Sequence, residues 1–327
     1  MRLEMYLRTD HGANLRRAVG LVGGVVADAL LGDPRRGHPV ALFGAAATAL
    51  ERAVYADSRS RGAVFTTSSV VLAVTPVLSA SRLSRLASGP GPGASDVALT
   101  TAATWAVTGA RSLTAEASRI GRALEDGGLS QARQALPSLC GRDPRHLDQT
   151  GIARAVVESV AENASDAIVA PLLWGALAGP GGLAGYRAAN TLDAMVGHHS
   201  PRYENFGWAS ARLDDVANWA PARITGLLAA ACAPVVGGRP AAAWRTALDY
   251  ADQHPSPNAG WCEAAFAGAL GVRLGGPLSY GDRPEFRPEL GDGRAPEPRD
   301  IPRAVRLCRA VTAAATALAA AIALASG

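Results

Sequence analysis

The stretch AIVAPLLWGALAGPGGLAG, Ala167–Gly185, sets how this chain is built. It is uncharged and close to membrane-spanning length, yet Gly179-Pro180-Gly181-Gly182 divides it. The piece before the break, Ala167–Ala178, would rise about 18 Å as a helix. A hydrocarbon core is about 30 Å thick, so that piece does not cross alone. A broken helix or a re-entrant hairpin is expected, with its irregular backbone covered by protein or lining a cavity.

Directly upstream lies ESVAENASD, Glu158–Asp166. On an ideal helix Glu158, Glu162 and Asp166 fall within an arc of about 80°. Like charges four residues apart oppose a helix by roughly 0.2–0.5 kcal/mol a pair in water. The cost is larger near lipid, so a cationic partner is expected.

Further apolar runs flank this centre: Ala18–Leu31, interrupted by Asp28; about 40–54; Ala63–Ala80; Val97–Ala110; Ile224–Gly238, carrying Pro234; and Ala310–Gly327. GPGPG, Gly89–Gly93, is a hard break. The segment from about 111 to 154 is polar with helical periodicity and reads as a soluble helical arm. Arg299, Arg303, Arg306 and Arg309 precede the last run, which suggests a cytosolic N-terminal end for that helix. Strand signals are weak throughout. The expected fold is all-α: a polytopic helical membrane protein with broken or re-entrant helices. It is read as one membrane-embedded domain, 1–327, with a polar helical insertion at about 111–154.

Composition agrees. Of 327 residues 48% are hydrophobic, only 18% charged and 5% aromatic, and the mean hydropathy is +0.09. A net charge of +4 without a basic stripe argues against a nucleic-acid partner. There is no lysine; all 32 basic residues are arginine. A P-loop and a pyridoxal Schiff base both need lysine, so both classes are excluded. Cys140, Cys232, Cys262 and Cys308 lie far apart with no CxxC spacing, which argues against a structural zinc site. The N-terminal stretch lacks the apolar core of a signal peptide, and secretion is not expected.

Polar clusters recur between the apolar runs. In YRAANTLDAMVG, Arg187, Asn190 and Asp193 share one side of a helix. In RLDDVANWAPAR, Asp214 and Asn218 are four apart, with Asp215 and Trp219 in the next row. His254-Pro255-Ser256-Pro257-Asn258 is a turn-rich loop whose two prolines present His254, Ser256 and Asn258. His38 in GDPRRGHPV is comparable. Each residue alone has an ordinary explanation as a cap or a surface group; their density does not. No GxSxG or HExxH is present, so spacing alone reaches a membrane-embedded helical protein with an acidic, arginine-rich polar site.

Together LGDPRRGHPV, VESVAENASDAIVAPLLWGALAG, YRAANTLDAMVG, YENFGWASARLDDVANWAPARIT and HPSPNAGWCEAAFAGALGVRLGGPLSYG resemble the CobD/CbiB family of cobalamin biosynthesis, in the expected order from about Leu31 to Ile301. Cys262 stands where the family commonly has Pro, and Asp282 where a second Gly is expected. The resemblance implies a multi-pass protein of the cell membrane, facing the cytoplasm with its active site. It implies ATP-dependent amide ligation of (R)-1-aminopropan-2-ol O-phosphate, or aminopropanol, to a propionate carboxylate of adenosylcobyric acid. The expected partners are those substrates and the lipid bilayer, with a homo-oligomer or other pathway enzymes of the membrane as further candidates. ATP and Mg²⁺ are the expected cofactors.

A carboxylate is a poor electrophile, so phosphorylation to an acyl phosphate precedes attack by the amine, and catalysis rests on positioning and charge neutralisation. Glu158, Glu162 and Asp166 are the first candidates for Mg²⁺, with Asp214 and Asp215 as a second set. Glu162 is also a catalytic candidate. Arg187, Arg212 and Arg223 are candidate phosphate clamps, with Asn190, Ser256 and Asn258 as further substrate contacts. His254 or His38 is the candidate base. The rival from another class is a non-catalytic membrane transporter or sensor that binds a corrinoid or another amphiphile; the absence of an inverted repeat counts against a transporter.

Overall fold

The computed structural model describes residues 2–34, 37–88, 93–280 and 283–326. Arg35, Arg36, most of the GPGPG break and Asp282 therefore lie outside the described residues. The helices are α1 (Arg2–Leu31), α2 (Pro39–Val54), α3 (Arg59–Ser88), α4 (Ala94–Val107), α5 (Ala110–Glu125), α6 (Leu129–Ala135), α7 (Gln149–Ala164), α8 (Ala170–Leu192), α9 (Trp208–Cys232), α10 (Pro240–Tyr250), α11 (Ala259–Leu270) and α12 (Asp300–Ala325). Strands β1 (Leu274–Tyr280) and β2 (Arg283–Leu290) form an antiparallel pair. Among the described residues, four helical segments are long and apolar enough to cross a membrane: Arg59–Ser84, Gln149–Gly197, Trp208–Val236 and Asp300–Ala325.

The chain divides into two compact units. The first comprises Met1–Gly109, Ala170–Ala217 and Thr316–Gly327. Here α1 lies on α4 through small residues. A Cβ at Gly20 would come within 2.5 Å of the Thr100 Cβ, and one at Gly24 would collide with the Thr104 side chain. The four-residue glycine spacing lets the helices approach closely, which is how packing replaces the hydrophobic effect between helices in lipid. A second contact seats the fully buried Phe206 against Phe65, with ring centroids 5.1 Å apart. Burying one such side chain contributes about 1.5–3 kcal/mol.

The divided stretch is a helical hairpin. Gly179 has φ 61° and ψ −151°, a conformation open to glycine alone. Pro180 supplies no N–H to continue the helix. The reversal is plain in the packing: Leu183 sits against Gly175, and a Cβ at Gly182 would collide with the Trp174 carbonyl oxygen. In a straight helix residues 174 and 182 would stand about 12 Å apart along the axis. Ala170 and Tyr186 then share one buried cluster, with Trp174 packed on it.

The second unit comprises Ala110–Val169 and Asn218–Ala315. The polar segment from about 111 lies here. Its helix α5 buries Leu113, Ala117, Ile120 and Leu124, a three-four spacing that turns one apolar stripe inward. At the centre is α11, whose run of small residues is buried along almost its whole length. α7 ends in a π turn, Ser165–Val169. α9 stops short of the apolar run that extends to Gly238: Pro234 lies in a 3₁₀ turn, Ala233–Val236, and Gly237 reverses at φ 77°.

The β-hairpin is the element that sequence reading missed. Gly275, Gly276, Pro277, Pro284 and Pro288 all lower strand propensity, so no alternating pattern shows. Tertiary contact supplies what propensity lacks. Gly275 and Gly276 have φ 79° and 86°, and a Cβ at Gly275 would collide with the Pro288 carbonyl oxygen.

Candidate functional site

In the second unit the three carboxylates of ESVAENASD have different surroundings. Glu158 is buried, Glu162 exposed and Asp166 half-buried. Glu158 is the cationic-partner case. Its Oε2 accepts from Arg142 Nη2 at 2.5 Å, and its Oε1 accepts from the Gly275 backbone N–H at 2.7 Å. Both side chains of the ion pair are 6% exposed. Arg154, one turn earlier, donates to the Gly275 carbonyl at 2.8 Å. One residue of β1 is thus held through both its N–H and its carbonyl by α7. Arg142 reaches the pair from the loop after α6, which Ser159 anchors by donating to the Leu139 carbonyl at 3.0 Å.

Glu263 on α11 faces the same group. It is 1% exposed, and burial first, then the charges of Glu158 and Glu162, push its carboxyl well above the usual range. Arg287 and Arg142 pull the other way. Burial, followed by the Asp166 charge, likewise raises the neighbouring Cys262 thiol, so that thiol is a packed apolar group rather than a nucleophile.

The prolyl loop is ordered by its own side chains. His254 Nδ1 accepts from the Ser256 N–H at 3.0 Å. A neutral imidazole has one acceptor nitrogen, so this bond places the ring proton on Nε2. Nε2 lies 3.6 Å from Glu263 Oε1 and 3.4 Å from Arg287 Nη1. The shorter Nδ1 bond sets the tautomer over the longer Arg287 contact. The lone pair a base would use is therefore occupied. Ser256 Oγ accepts from the N–H groups of Asn258 and Ala259 at 3.3 and 3.2 Å, capping α11, and Asn258 is buried beside it. Arg223 stacks on Trp219 and Trp261, 4.4 and 5.0 Å from the ring centroids, and donates to the Trp219 carbonyl.

In the first unit Arg187 Nη1 donates to Asn190 Oδ1, and Asn190 Nδ2 to Asp214 Oδ1, both at 3.4 Å. Asp215 pairs instead with Arg212 at 3.3 Å. Asp193 opens a π turn, Asp193–Gly197, and its carboxylate lies where a Cβ on Gly197 would be. His38 is the N-cap of α2: its Nδ1 accepts from the Val40 N–H at 3.2 Å.

No group of three or more His, Cys, Asp or Glu side chains is set for a metal among the described residues. Both Glu158 oxygens are engaged, which leaves Glu158 unsuited as a ligand. Exposed Glu162 and half-buried Asp166, four residues apart, fit Mg²⁺, which takes one or two carboxylates and completes its shell with water and substrate phosphates. Arg142 and Gly275 were not among the expected site residues, and Glu263 had no role. No sequence signal linked Arg142 in GRDP to the GG of RLGGP, because the two lie far apart in the chain.

The family described as CobD/Cbib protein matches residues 21–308. The "Cobalamin biosynthesis protein CobD" of Mycobacterium tuberculosis is 52% identical over 93% of this chain and 95% of its own length. A protein of that name from Rhodobacter capsulatus is 43% identical over 91% and 95%. That from Geobacter metallireducens is 42% identical over 83% and 86%. No solved structure matches the chain. A match of this extent, on a helical body with apolar spans and an acidic, arginine-lined interior, makes the chain a member of the CobD/CbiB family.

Proposed function

We propose that the protein acts in cobalamin biosynthesis as a membrane ligase. It joins (R)-1-aminopropan-2-ol O-phosphate, or aminopropanol, to a propionate carboxylate of adenosylcobyric acid, giving adenosylcobinamide phosphate or adenosylcobinamide. The observation that carries this reading is the near-full-length identity with proteins named for cobalamin biosynthesis. The reaction balances as carboxylate plus ATP to acyl phosphate and ADP, then amine attack with loss of phosphate. The site faces the cytoplasm, where ATP is.

In the second unit Glu162 and Asp166 are the carboxylates for Mg²⁺, which when bound neutralises phosphate charge. Glu158 and Arg142 hold β1 in place and touch no reactant. Arg223, stacked on two indoles, keeps N–H groups for a phosphate. In the first unit Arg187, aligned by Asn190, and Arg212 have the same chemistry. His254 orders the substrate loop rather than taking a proton through Nδ1, and His38 serves α2 as its cap.

The test gives purified protein ATP, adenosylcobyric acid and the amine, singly and together, and measures ADP and corrinoid product. ADP release only with all three, matched one to one by amide, is expected. Corrinoid binding without ADP or amide formation overturns ligation in favour of a carrier or sensor.

A further inference from the structure

Two adjoining cavities lie in the first unit, and the larger meets the polar clusters described above only at Arg187. One, of about 450 Å³, lies between α2, α3, α4 and α8; Leu42, Leu72, Leu99 and Ala103 are among its walls, which are apolar but for Arg187. The other, of about 280 Å³, lies at the tip of the α8 hairpin and is lined by Arg16, Arg17, Ser81, Asp96 and Gly179. Leu99 stands in the wall of both, so an apolar cavity and a cationic one lie side by side along α4 and are here called the groove.

The cationic end is built. Arg16 lies over Gly93, where a Cβ would come within 2.5 Å of its Cδ, and its Nε is buried without a hydrogen-bond partner. Asp96 is its ion-pair neighbour at 3.8 Å. Arg17 donates to the Ala176 carbonyl at 3.0 Å, at the end of the first hairpin arm. Among the described residues, two arginines and one carboxylate line this cavity, which leaves room for one further negative charge.

Depth identifies the occupant. Arg16–Arg17 precede the apolar run of α1, Ser81 ends that of α3, and Asp96 stands at the start of α4. Three helices thus bring together the polar residues at which their apolar runs begin or end, the arrangement that suits a lipid headgroup. From Asp96 to Val107, the far wall, α4 rises about 16 Å, close to one leaflet of a hydrocarbon core about 30 Å thick. Leu42, Leu72 and Leu78 on the walls are 63%, 48% and 50% exposed, so the groove opens onto apolar surface.

We propose that this groove binds a phospholipid of single negative charge, its phosphate between Arg16 and Arg17 and one acyl chain along α4. The phosphate end of the groove shares no residue with the proposed ligase site; Arg187 lines only the apolar part.

The test titrates the full chain in neutral detergent with dioleoylphosphatidylglycerol, dioleoylphosphatidylcholine or inorganic phosphate, following bound lipid by native mass spectrometry and the thermal midpoint. Phosphatidylglycerol is expected to be retained at one per chain and to raise the midpoint. R16Q/R17Q should weaken it about tenfold or more. Ala103→Leu, which intrudes on the apolar part, should weaken it with both arginines intact. Because Arg17 also holds the hairpin, R16Q alone serves if the double variant does not fold. Equal affinity for phosphatidylcholine, unchanged binding in R16Q or in Ala103→Leu, or the same midpoint shift from inorganic phosphate alone, overturns the proposal.

Discussion

Arg142 and Glu158 meet as a buried ion pair, Nη2 to Oε2 at 2.5 Å, beneath the first residues of β1. Removing one partner of such a pair costs about 3–5 kcal/mol, because the other charge stays buried and uncompensated. Glu158→Gln should therefore lower the thermal midpoint in detergent and the yield of folded protein. R142Q/E158Q should recover part of that loss. A fully stable but inactive Glu158→Gln would make Glu158 a ligand instead.

Glu162 is the contrasting case, exposed on the same helix. Glu162→Gln should cut ligation about a hundredfold or more, the scale of losing a charge contact made in the transition state. Its thermal midpoint should stay within about a degree or two of wild type, as for most surface changes. Near-normal turnover would remove Glu162 from the metal assignment.

His254 offers a choice between base and anchor. Asparagine can accept from a backbone N–H two residues on, as His254 Nδ1 does from Ser256, but it cannot take a proton near neutral pH. His254→Asn should retain most turnover and His254→Ala should lose it. Equal loss in both variants would restore the base.

Glu263 carries a pH signature. Its carboxyl titrates above the ordinary value of 4.5 in the fold because of burial and then Glu158 and Glu162. Between 4.5 and that raised value the folded chain binds more protons at this site than the unfolded chain. Stability from this group is complete below 4.5 and falls as pH rises through the folded value. The midpoint of wild type minus that of Glu263→Gln should decline as pH rises above 4.5. A constant difference would show that Glu263 ionises freely.

The hairpin makes a backbone prediction. A methyl group at Gly182 meets the Trp174 carbonyl, so Gly182→Ala should open the turn and lower the midpoint by several degrees. Gly185→Ala, whose Cβ would lie 3.4 Å from Val74 in ordinary contact, is the control and should be far milder. Equal effects would mean the close approach is not what limits stability.

Read alone, the amino-acid order establishes the helical membrane class, the break at Gly179–Gly182 and the family. Those depend on composition, apolar run length and backbone chemistry, all local in the chain. It also leads one to expect a cation beside the face of Glu158, Glu162 and Asp166, since like charges on one helix face near lipid demand one. Which cation answers that need emerges only in the folded chain. Arg142 lies in an ordinary turn, and Gly275 in a segment whose glycines and prolines hide a strand. The same holds for burial: Glu158, Glu162 and Asp166 share one helix face by spacing, yet only Glu158 of the three is fully buried, held by Arg142 and Gly275. Helical periodicity states which way a side chain points along its own helix. What covers it is set by other segments, one of them more than a hundred residues away, and no local pattern records them.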